Sequence, residues 1–319
     1  MRPSLKNNNP SRDNVLFLKK IEKRLSGSRI LPATGRPVFG PARYEAETLV
    51  RHFGGMNRLD LFTGGKPLKA SAKSRIHQAL RRRLAGRPLA YLLKETEFFG
   101  RRFFVTEDTL IPRPETELLV EEALKVLDAN YFLRDRRAPS ALAMAATQPR
   151  VLDIGTGCGC IAASLTLERP GCRMTALEFS SRAVKIARKN VRYHHLDEKI
   201  ELVQGDLFRG FGKEKKAFWD MIISNPPYIA REDFRKLPKE VLAEPRLALD
   251  GGAGGFATLD RILDEAPAFL KPGGWLLLEI GEGQCAALKK RIGREKVFKN
   301  LRSVKDYNGV GRILVMQKQ

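Results

Sequence analysis

From Val151 to the end of the chain, short apolar runs alternate with amphipathic stretches, and no other feature narrows the fold as far. The spacing predicts strands at Val151–Ile154, Met174–Glu178, Ile200–Gln204, Met221–Ser224, Trp275–Ile280, Val297–Val304 and Ile313–Gln317. Helical patterns separate most of them, among them Arg182–Tyr193 and Phe256–Leu270. Alternation of this kind argues for a parallel sheet with helices on both faces. The last two strands have no helix between them and meet at a turn around Asn308-Gly309, so the final strand is expected to run antiparallel. The expected fold class is α/β: a Rossmann-like sheet of seven strands, the last antiparallel, preceded by a small helical domain. In open sheets of this type ligands sit at the C-terminal ends of the strands.

Asp153-Ile154-Gly155-Thr156-Gly157-Cys158-Gly159-Cys160-Ile161 follows the first strand and opens a helix. Glycines here make a tight turn and let a ligand approach the backbone. A dinucleotide site would show G-x-G-x-x-G; here the spacing is G-x-G-x-G, with Asp153 just ahead. That carboxylate would repel a pyrophosphate and welcome a cation. S-adenosylmethionine, with its sulfonium and ammonium, fits that requirement. Glu178 ends the second strand, where an acidic side chain can accept from both ribose hydroxyls. Gly205-Asp206-Leu207 ends the third; Asp206 can accept an adenine amino group while Leu207 packs the ring. The candidate cofactor residues are therefore Asp153, Gly155, Thr156, Gly157, Cys158, Gly159, Glu178, Asp206 and Leu207, with Asn225 beside them.

Ser224-Asn225-Pro226-Pro227-Tyr228-Ile229 follows the fourth strand. Two prolines cannot extend a strand, because each lacks an N–H and has a fixed φ. The chain must leave the sheet there, holding Asn225 at the strand's C-terminal end. Asn225 offers a side-chain carbonyl and Pro226 a backbone carbonyl with no N–H on the same residue. Side by side they can take both hydrogens of a planar –NH2 group. Pro227 stiffens the turn, and Tyr228 adds a flat face. An isolated Asn-Pro-Pro also marks an ordinary strand-to-loop turn; its place next to the glycine loop favours methylation of an amide or exocyclic amino nitrogen, with Asn225, Pro226 and Tyr228 as the catalytic candidates.

Ahead of the sheet the pattern is helical. Leu18, Ile21 and Leu25, then Ala46, Leu49, Val50 and Phe53, then Ile76, Leu80 and Leu84 recur at helical spacing. Residues 1–95 read as a helical bundle with basic outer faces, Arg81-Arg82-Arg83 lying on its last helix, and Met1 to Arg12 as a frayed tail. Residues 96–112 read as a hairpin linker around Gly100, and residues 113–319 as the cofactor domain, with 134–149 as a flexible insertion. The net charge of +22 is uneven: residues 1–95 hold 21 Lys/Arg against 6 Asp/Glu, or +15. A basic first third suggests an acidic partner such as nucleic acid, a ribosome or an acidic protein. No aromatic residues interleave with the arginine run, which argues against a single-stranded nucleic-acid platform.

No apolar run approaches the roughly 20 residues that span a bilayer, and the N-terminus lacks an apolar secretory stretch. Of the four cysteines, Cys158 and Cys160 form C-x-C rather than C-x-x-C, and no His adjoins them. No metal site is expected; reduced thiols and a cytoplasmic location are.

Together these residues resemble the protein-(glutamine-N5) methyltransferases that modify peptide-chain release factors. The likeness extends over most of the chain: Arg87-Pro88-Leu89-Ala90-Tyr91, Phe98-Phe99-Gly100, Leu110 to Glu117, Asp153 to Ile161, Asn225 to Ile229, Glu244 to Gly252 and Leu278-Glu279-Ile280-Gly281. The L-I-P-R-P-E-T-E and E-P-R-x-A-L-x-G-G strings are more specific than N-P-P-Y, which DNA-adenine and ribosomal-RNA guanine methyltransferases also carry. The resemblance implies a class I methyltransferase sheet using S-adenosylmethionine, a helical domain that helps hold a release factor, and the glutamine of its Gly-Gly-Gln loop as substrate. It also implies that Gly155 to Gly159, Glu178 and Asp206-Leu207 hold the cofactor, and Asn225 to Tyr228 the glutamine side chain. Cys158 and Cys160 depart from the small residues or Thr more usual in that loop, yet are small enough to fit. The first forty residues match poorly. Three other readings share these features: methylation of a ribosomal-protein glutamine, methylation of an RNA or DNA amino group, and a basic ribosome-binding protein that keeps cofactor binding without turnover.

Overall fold

The computed structural model describes residues 10–27, 41–63, 66–132 and 148–319. The chain forms two compact units. One comprises the chain up to Lys94 together with Pro238–Ala243; the other comprises Glu95–Leu237 and Glu244–Gln319.

The first unit is helical: α1 (Pro10–Ser26), α2 (Pro41–Gly54), α3 (Arg58–Thr63), α4 (Ala70–Leu84) and α5 (Leu89–Leu93). Helix α1 starts at Pro10, inside the stretch read as a tail, since Pro suits the first turn of a helix; residues 1–9 lie outside the described ones. The apolar residues at helical spacing form its core: Leu18, Ile21, Leu25, Ala46, Leu49, Val50, Ile76 and Leu80 are buried, with Phe53 and Leu84 packed against them. Helix α4 is not the last of the unit, and its arginine run is divided. Arg81 and Arg82 are exposed, but Arg83 is only 1% exposed. It falls seven residues after Ile76, on the buried stripe of the helix. Its Nε and Nη2 donate to the two oxygens of Glu45, both at 2.7 Å, and its Nη1 donates to Glu240 at 2.8 Å. Glu240 lies on the short α9 (Lys239–Leu242), so this buried triad ties Pro238–Ala243 to the helices of the unit.

The second unit opens with a hairpin, β1 (Glu95–Phe98) and β2 (Arg101–Phe104), paired antiparallel. Phe99 (φ 52°) and Gly100 (φ 68°) both have positive φ, which a two-residue hairpin turn of the I′ kind requires. The hairpin belongs to the sheet unit. Asn190 is buried on α8 (Ser181–Tyr193); it accepts from the Phe104 N–H at 2.7 Å and donates to the Phe104 carbonyl at 2.9 Å and the Cys158 carbonyl at 2.8 Å. Helix α6 (Pro114–Leu127) follows, with Pro114 at its start and Glu115 and Glu117 in its first turn, a sequence suited to a helix N-terminus. The stretch read as an insertion, 134–149, lies outside the described residues except for Gln148 and Pro149.

The main sheet has seven strands in the order β5-β4-β3-β6-β7-β9-β8: β3 (Arg150–Ile154), β4 (Arg173–Glu178), β5 (Ile200–Gln204), β6 (Trp219–Ser224), β7 (Leu270–Glu279), β8 (Phe298–Lys305) and β9 (Gly311–Lys318). Strand β9 is antiparallel to both its neighbours, and the pairs from β5 to β7 are parallel. The antiparallel final strand lies between β7 and β8. Strand β7 starts at Leu270, ahead of the expected Trp275, because Leu270 pairs with Trp219 before a register shift. On one face Leu152, Ile154, Ile222, Leu276, Leu278 and Leu314 pack against Leu259, Ile262 and Leu263 of α10 (Ala257–Phe269) and Leu288 and Ile292 of α11 (Cys285–Glu295). Alternation turns Val151, Met221, Ile223, Leu277 and Val315 to the other face, and all are buried. Helix α6 packs against β7, β9 and α7 (Cys160–Glu168). No described helix is long and apolar enough to cross a membrane.

Replacing Arg83 with Ala should lower the stability of the helical unit by about 3–5 kcal/mol, because Glu45 would remain buried without the cation that grips both its oxygens and Glu240 would lose one of its bonds. Arg82→Ala, on the exposed face, should change it little; denaturant titration of the two variants checks the contrast.

Candidate active site

Strands β3 and β6 are neighbours, paired with Ile154 opposite Ser224, and the Ser224 hydroxyl donates to the Ile154 carbonyl at 2.7 Å. The glycine loop leaves the end of one strand and Asn225 the end of the other. Adjacent strands lie about 5 Å apart, so register alone brings the two motifs together. From β3 the chain moves through β4 and β5 to one side and through β6 and β7 to the other, which makes this edge the topological switch point.

Gly155 (φ 69°), Gly157 (φ 58°) and Gly159 (φ 84°) all adopt left-handed conformations, and a Cβ on Gly155 would meet nothing within 4 Å. The loop thus leaves an open cradle at the sheet edge. Asp153 is fully buried, and its Oδ2 accepts from the Thr156 hydroxyl at 2.6 Å. Burial pushes its pKa up to about 7; hydrogen bonds from the Thr156 hydroxyl and the Ala162 N–H oppose the rise, and nearby Glu178 adds to it. A buried carboxylate with no cation beside it among the described residues favours the approach of positive charge. Glu178 accepts from the Gly157 N–H and the Ser180 N–H, each at 2.9 Å, and burial raises its pKa. It therefore braces the loop, and each oxygen keeps a second lone pair. Asp206 does not stand open: Arg261 of α10 grips its two oxygens at 3.0 and 3.2 Å. Leu207 is buried in the left-handed conformation next to it (φ 50°). Cys158 and Cys160 are buried free thiols, and Cys158 offers its carbonyl to Asn190.

On the other side of the cradle, Asn225 Nδ2 donates to the Thr116 hydroxyl at 3.0 Å. Thr116 donates to Glu279 Oε2 at 2.7 Å, and the Tyr228 hydroxyl donates to Glu279 Oε1 at 3.1 Å. Glu279 ends β7 and is buried; desolvation pushes its pKa up to about 7. The Tyr228 phenol is raised too, by burial first and by Glu279 second. The loop after Tyr228 is clamped by the Glu244–Gly252 string. Ile229 N–H donates to the Leu249 carbonyl at 3.0 Å, and Gly251 N–H donates to the Ile229 carbonyl at 2.9 Å. Gln284 donates to the carbonyls of Tyr228 (3.2 Å) and Gly255 (3.0 Å). Arg113 is bound to Glu244, whose other oxygen accepts the Ile111 N–H at 3.0 Å, and Glu117 accepts the Phe99 N–H at 2.7 Å.

Thus the structure gathers Asp153, Gly155 to Gly159, Glu178 and Asn225 to Tyr228 at one edge, with Asp206-Leu207 at the end of β5. Sequence reasoning assigned no role to Thr116, Glu279, Asn190 or Arg261. Glu279 stands in a motif string that was recognised, and Thr116 in another, but 163 residues separate these two bonded side chains. No periodicity links them.

A sheet in this order with a glycine loop and an Asn-Pro-Pro-Tyr corner at its switch point defines a class I methyltransferase fold. Family models match at residues 140–255 (methyltransferase small domain) and 22–93 (PrmC N-terminal domain). Similar chains include the release factor glutamine methyltransferases of Chlorobaculum tepidum, 38% identical over 87% of this chain and 90% of that one, and of Geobacter sulfurreducens, 38% identical over 86% and 88%. That of Bordetella pertussis is 38% identical over 86% of this chain and 94% of its own. The chain belongs to the release factor glutamine methyltransferase family. Among solved structures, the human Mettl16 catalytic domain in complex with a MAT2A 3′UTR hairpin has a TM-score of 0.53 at 19% identity, covering 86% of this chain and 89% of that one. At that identity the likeness is one of fold.

Gly255 has φ 81°, and a Cβ there would lie 2.3 Å from the Tyr228 carbonyl and 2.8 Å from Gln284 Nε2. Gly255→Ala should therefore cost about 1–3 kcal/mol of stability and displace Tyr228; thermal unfolding together with methyl-transfer rates tests both effects.

Proposed function

We propose that this enzyme methylates the side-chain amide nitrogen of the glutamine in the Gly-Gly-Gln loop of peptide-chain release factors, with S-adenosylmethionine as donor. The observation that supports the reading most is the β3–β6 register, which brings Asn225 and Pro226 to the same sheet edge as the glycine loop. S-adenosylmethionine supplies an electrophilic methyl on a sulfonium. Asp153 would attract its positive charge, Gly155 to Gly159 would admit it against the backbone, and Glu178 would offer its remaining lone pairs to ribose hydroxyls. Leu207 would pack the adenine, and Asp206, neutralised by Arg261, would serve as an acceptor at that end.

An amide nitrogen is a poor nucleophile, since its lone pair is delocalised into the carbonyl. The substrate corner holds no strong base in contact with it. Catalysis on this reading is positioning: Asn225 Oδ1 and the Pro226 carbonyl accept the two N–H groups, Pro227 keeps the turn rigid, and Tyr228 packs on the amide plane. Among the described residues no hydrogen-bond donor reaches either oxygen. Near-attack placement of this kind supplies roughly 7–11 kcal/mol in favourable cases. The N–C bond forms as the S–C bond breaks, and the nitrogen then gives its extra proton to solvent. The basic helical unit, with Arg81 and Arg82 exposed, would draw in the acidic surface of a release factor. Such a substrate places the enzyme in the cytoplasm with the translation machinery.

Asn225→Ala should cut kcat by roughly a hundredfold or more while leaving cofactor affinity nearly unchanged. The check is mass spectrometry of the Gly-Gly-Gln peptide of a purified release factor, seeking one added methyl, beside cofactor titration. A variant with full turnover would overturn the role assigned to Asn225. Near neutral pH Asp153 is partly protonated when free. A cation beside it lowers its pKa, so donor binding should release a fraction of a proton. Calorimetry in buffers of different ionisation enthalpy should detect that proton in the native enzyme and not in Asp153→Asn.

A further inference from the structure

We infer that Glu279 is a positioning residue that sets the polarity of the substrate corner: its carboxylate, acting through the Thr116 hydroxyl, holds Asn225 with Oδ1 turned toward the incoming amide. The inference rests on the amide-methylating reading of the site and names what makes that reading chemically one-directional.

An asparagine side chain has two ends of nearly equal shape and opposite hydrogen-bonding character. Only the carbonyl end can receive a substrate –NH2; the other end would meet it donor to donor. Something must choose between them, and the choice is made two bonds away. A carboxylate only accepts. Thr116 has a single hydroxyl hydrogen, and Glu279 Oε2 takes it at 2.7 Å. Thr116 can then meet Asn225 only as an acceptor, and it does so at 3.0 Å from Nδ2. The bonds run one way, from Asn225 through Thr116 to Glu279. The second Glu279 oxygen is filled by the Tyr228 hydroxyl at 3.1 Å, so one carboxylate orients two residues of the corner. Thr116 and Glu279 are 2% and 1% exposed, which leaves bulk water little access to replace either partner.

The charged groups around Glu279 come from three elements. Glu115 on α6 opposes its ionisation, Arg312 on β9 favours it, and Tyr228 and Thr116 favour it through their hydrogen bonds. Arg113, ahead of α6, acts on Tyr228. Burial outweighs the favourable contacts and leaves the carboxyl titrating at about 7. Below that pH the carboxyl gains a hydrogen of its own. Placed on Oε2, that hydrogen points at Thr116, which turns its own to Asn225, and the amide reverses. Placed on Oε1, it is accepted by the Tyr228 oxygen, and Oε2 still takes the Thr116 hydrogen. The Oε2-protonated form thus lacks the acceptor geometry, and activity declines as pH falls through about 7 and recovers above.

The test uses the full-length enzyme, a purified release factor and saturating methyl donor, so that cofactor binding does not limit. Glu279→Leu, which removes both acceptor oxygens and frees the Thr116 hydrogen to turn to Asn225, should lower kcat roughly a hundredfold with little change in donor affinity. It should also abolish the fall in kcat/KM below about pH 7. Thr116→Val should lower kcat alike, whereas Thr116→Ser, which keeps the hydroxyl, should restore it. A Gly-Gly-Glu peptide gives a readout that lost packing would not move. Its carboxylate is repelled by an outward Oδ1 and welcomed by an outward Nδ2. It should inhibit Glu279→Leu at least about tenfold more strongly than the native enzyme, the scale of one hydrogen bond to a charged group. Native-like kcat and pH profile in both Glu279→Leu and Thr116→Val, or unchanged inhibition by the peptide, would overturn the inference while leaving glutamine methylation intact. Absence of glutamine methylation by the native enzyme would instead remove the reading beneath it.

Discussion

Two parallel strands lying side by side carry the whole design. Because Ile154 pairs with Ser224, the residues that follow them emerge a strand's width apart. One exit is glycine, with a left-handed backbone and open space above it. The other is an asparagine held at the strand end by two prolines. A slip of one residue in either strand would turn its side chains to the opposite face, and the cradle and the acceptor pair would no longer share an edge. The fully buried Val151, Leu152, Met221, Ile222 and Ile223 hold that register.

Around this edge the chain places carboxylates in different states of satisfaction. Glu178 and Asp206 are engaged, the first by backbone N–H groups and the second by Arg261. Asp153 is buried without a cation among the described residues, held by the Thr156 hydroxyl and the Ala162 N–H. A buried carboxylate is costly to ionise without an opposite charge, which is why its pKa is pushed up. Glu279 is also buried, with both oxygens occupied by the hydroxyl donors of Thr116 and Tyr228.

The Asn-Pro-Pro-Tyr corner depends on contacts far from it in sequence. Gly251 and Gly255 leave room for the Tyr228 backbone; a Cβ on Gly251 would lie 2.8 Å from the Tyr228 Cα. Arg113 and the Ile111 N–H are both held by Glu244, so the segment leading into α6 is tied to the same string. That segment delivers Thr116 to Asn225. The long motif strings are therefore parts of one scaffold around the Asn-Pro-Pro-Tyr turn.

The sequence by itself determined the order and type of the strands, the reversed final strand, the helical first third, and the glycine loop and Asn-Pro-Pro-Tyr turn at strand ends. Each of these is a local matter: hydrophobic periodicity, proline's missing N–H and glycine's tolerance of positive φ act within a few residues. It also led to the inward apolar stripe of α4 but not to the turning of Arg83 onto that stripe, since an arginine enters a core only if carboxylates from other segments meet it there. Tertiary structure alone decided that Asp206 would pair with Arg261, that Asn190 would fasten the hairpin to the glycine loop, and that Thr116 and Glu279 would stand behind Asn225. Those are hydrogen bonds made by side chains to groups tens to hundreds of residues away, and only packing of the sheet and its helices brings such groups within bonding distance.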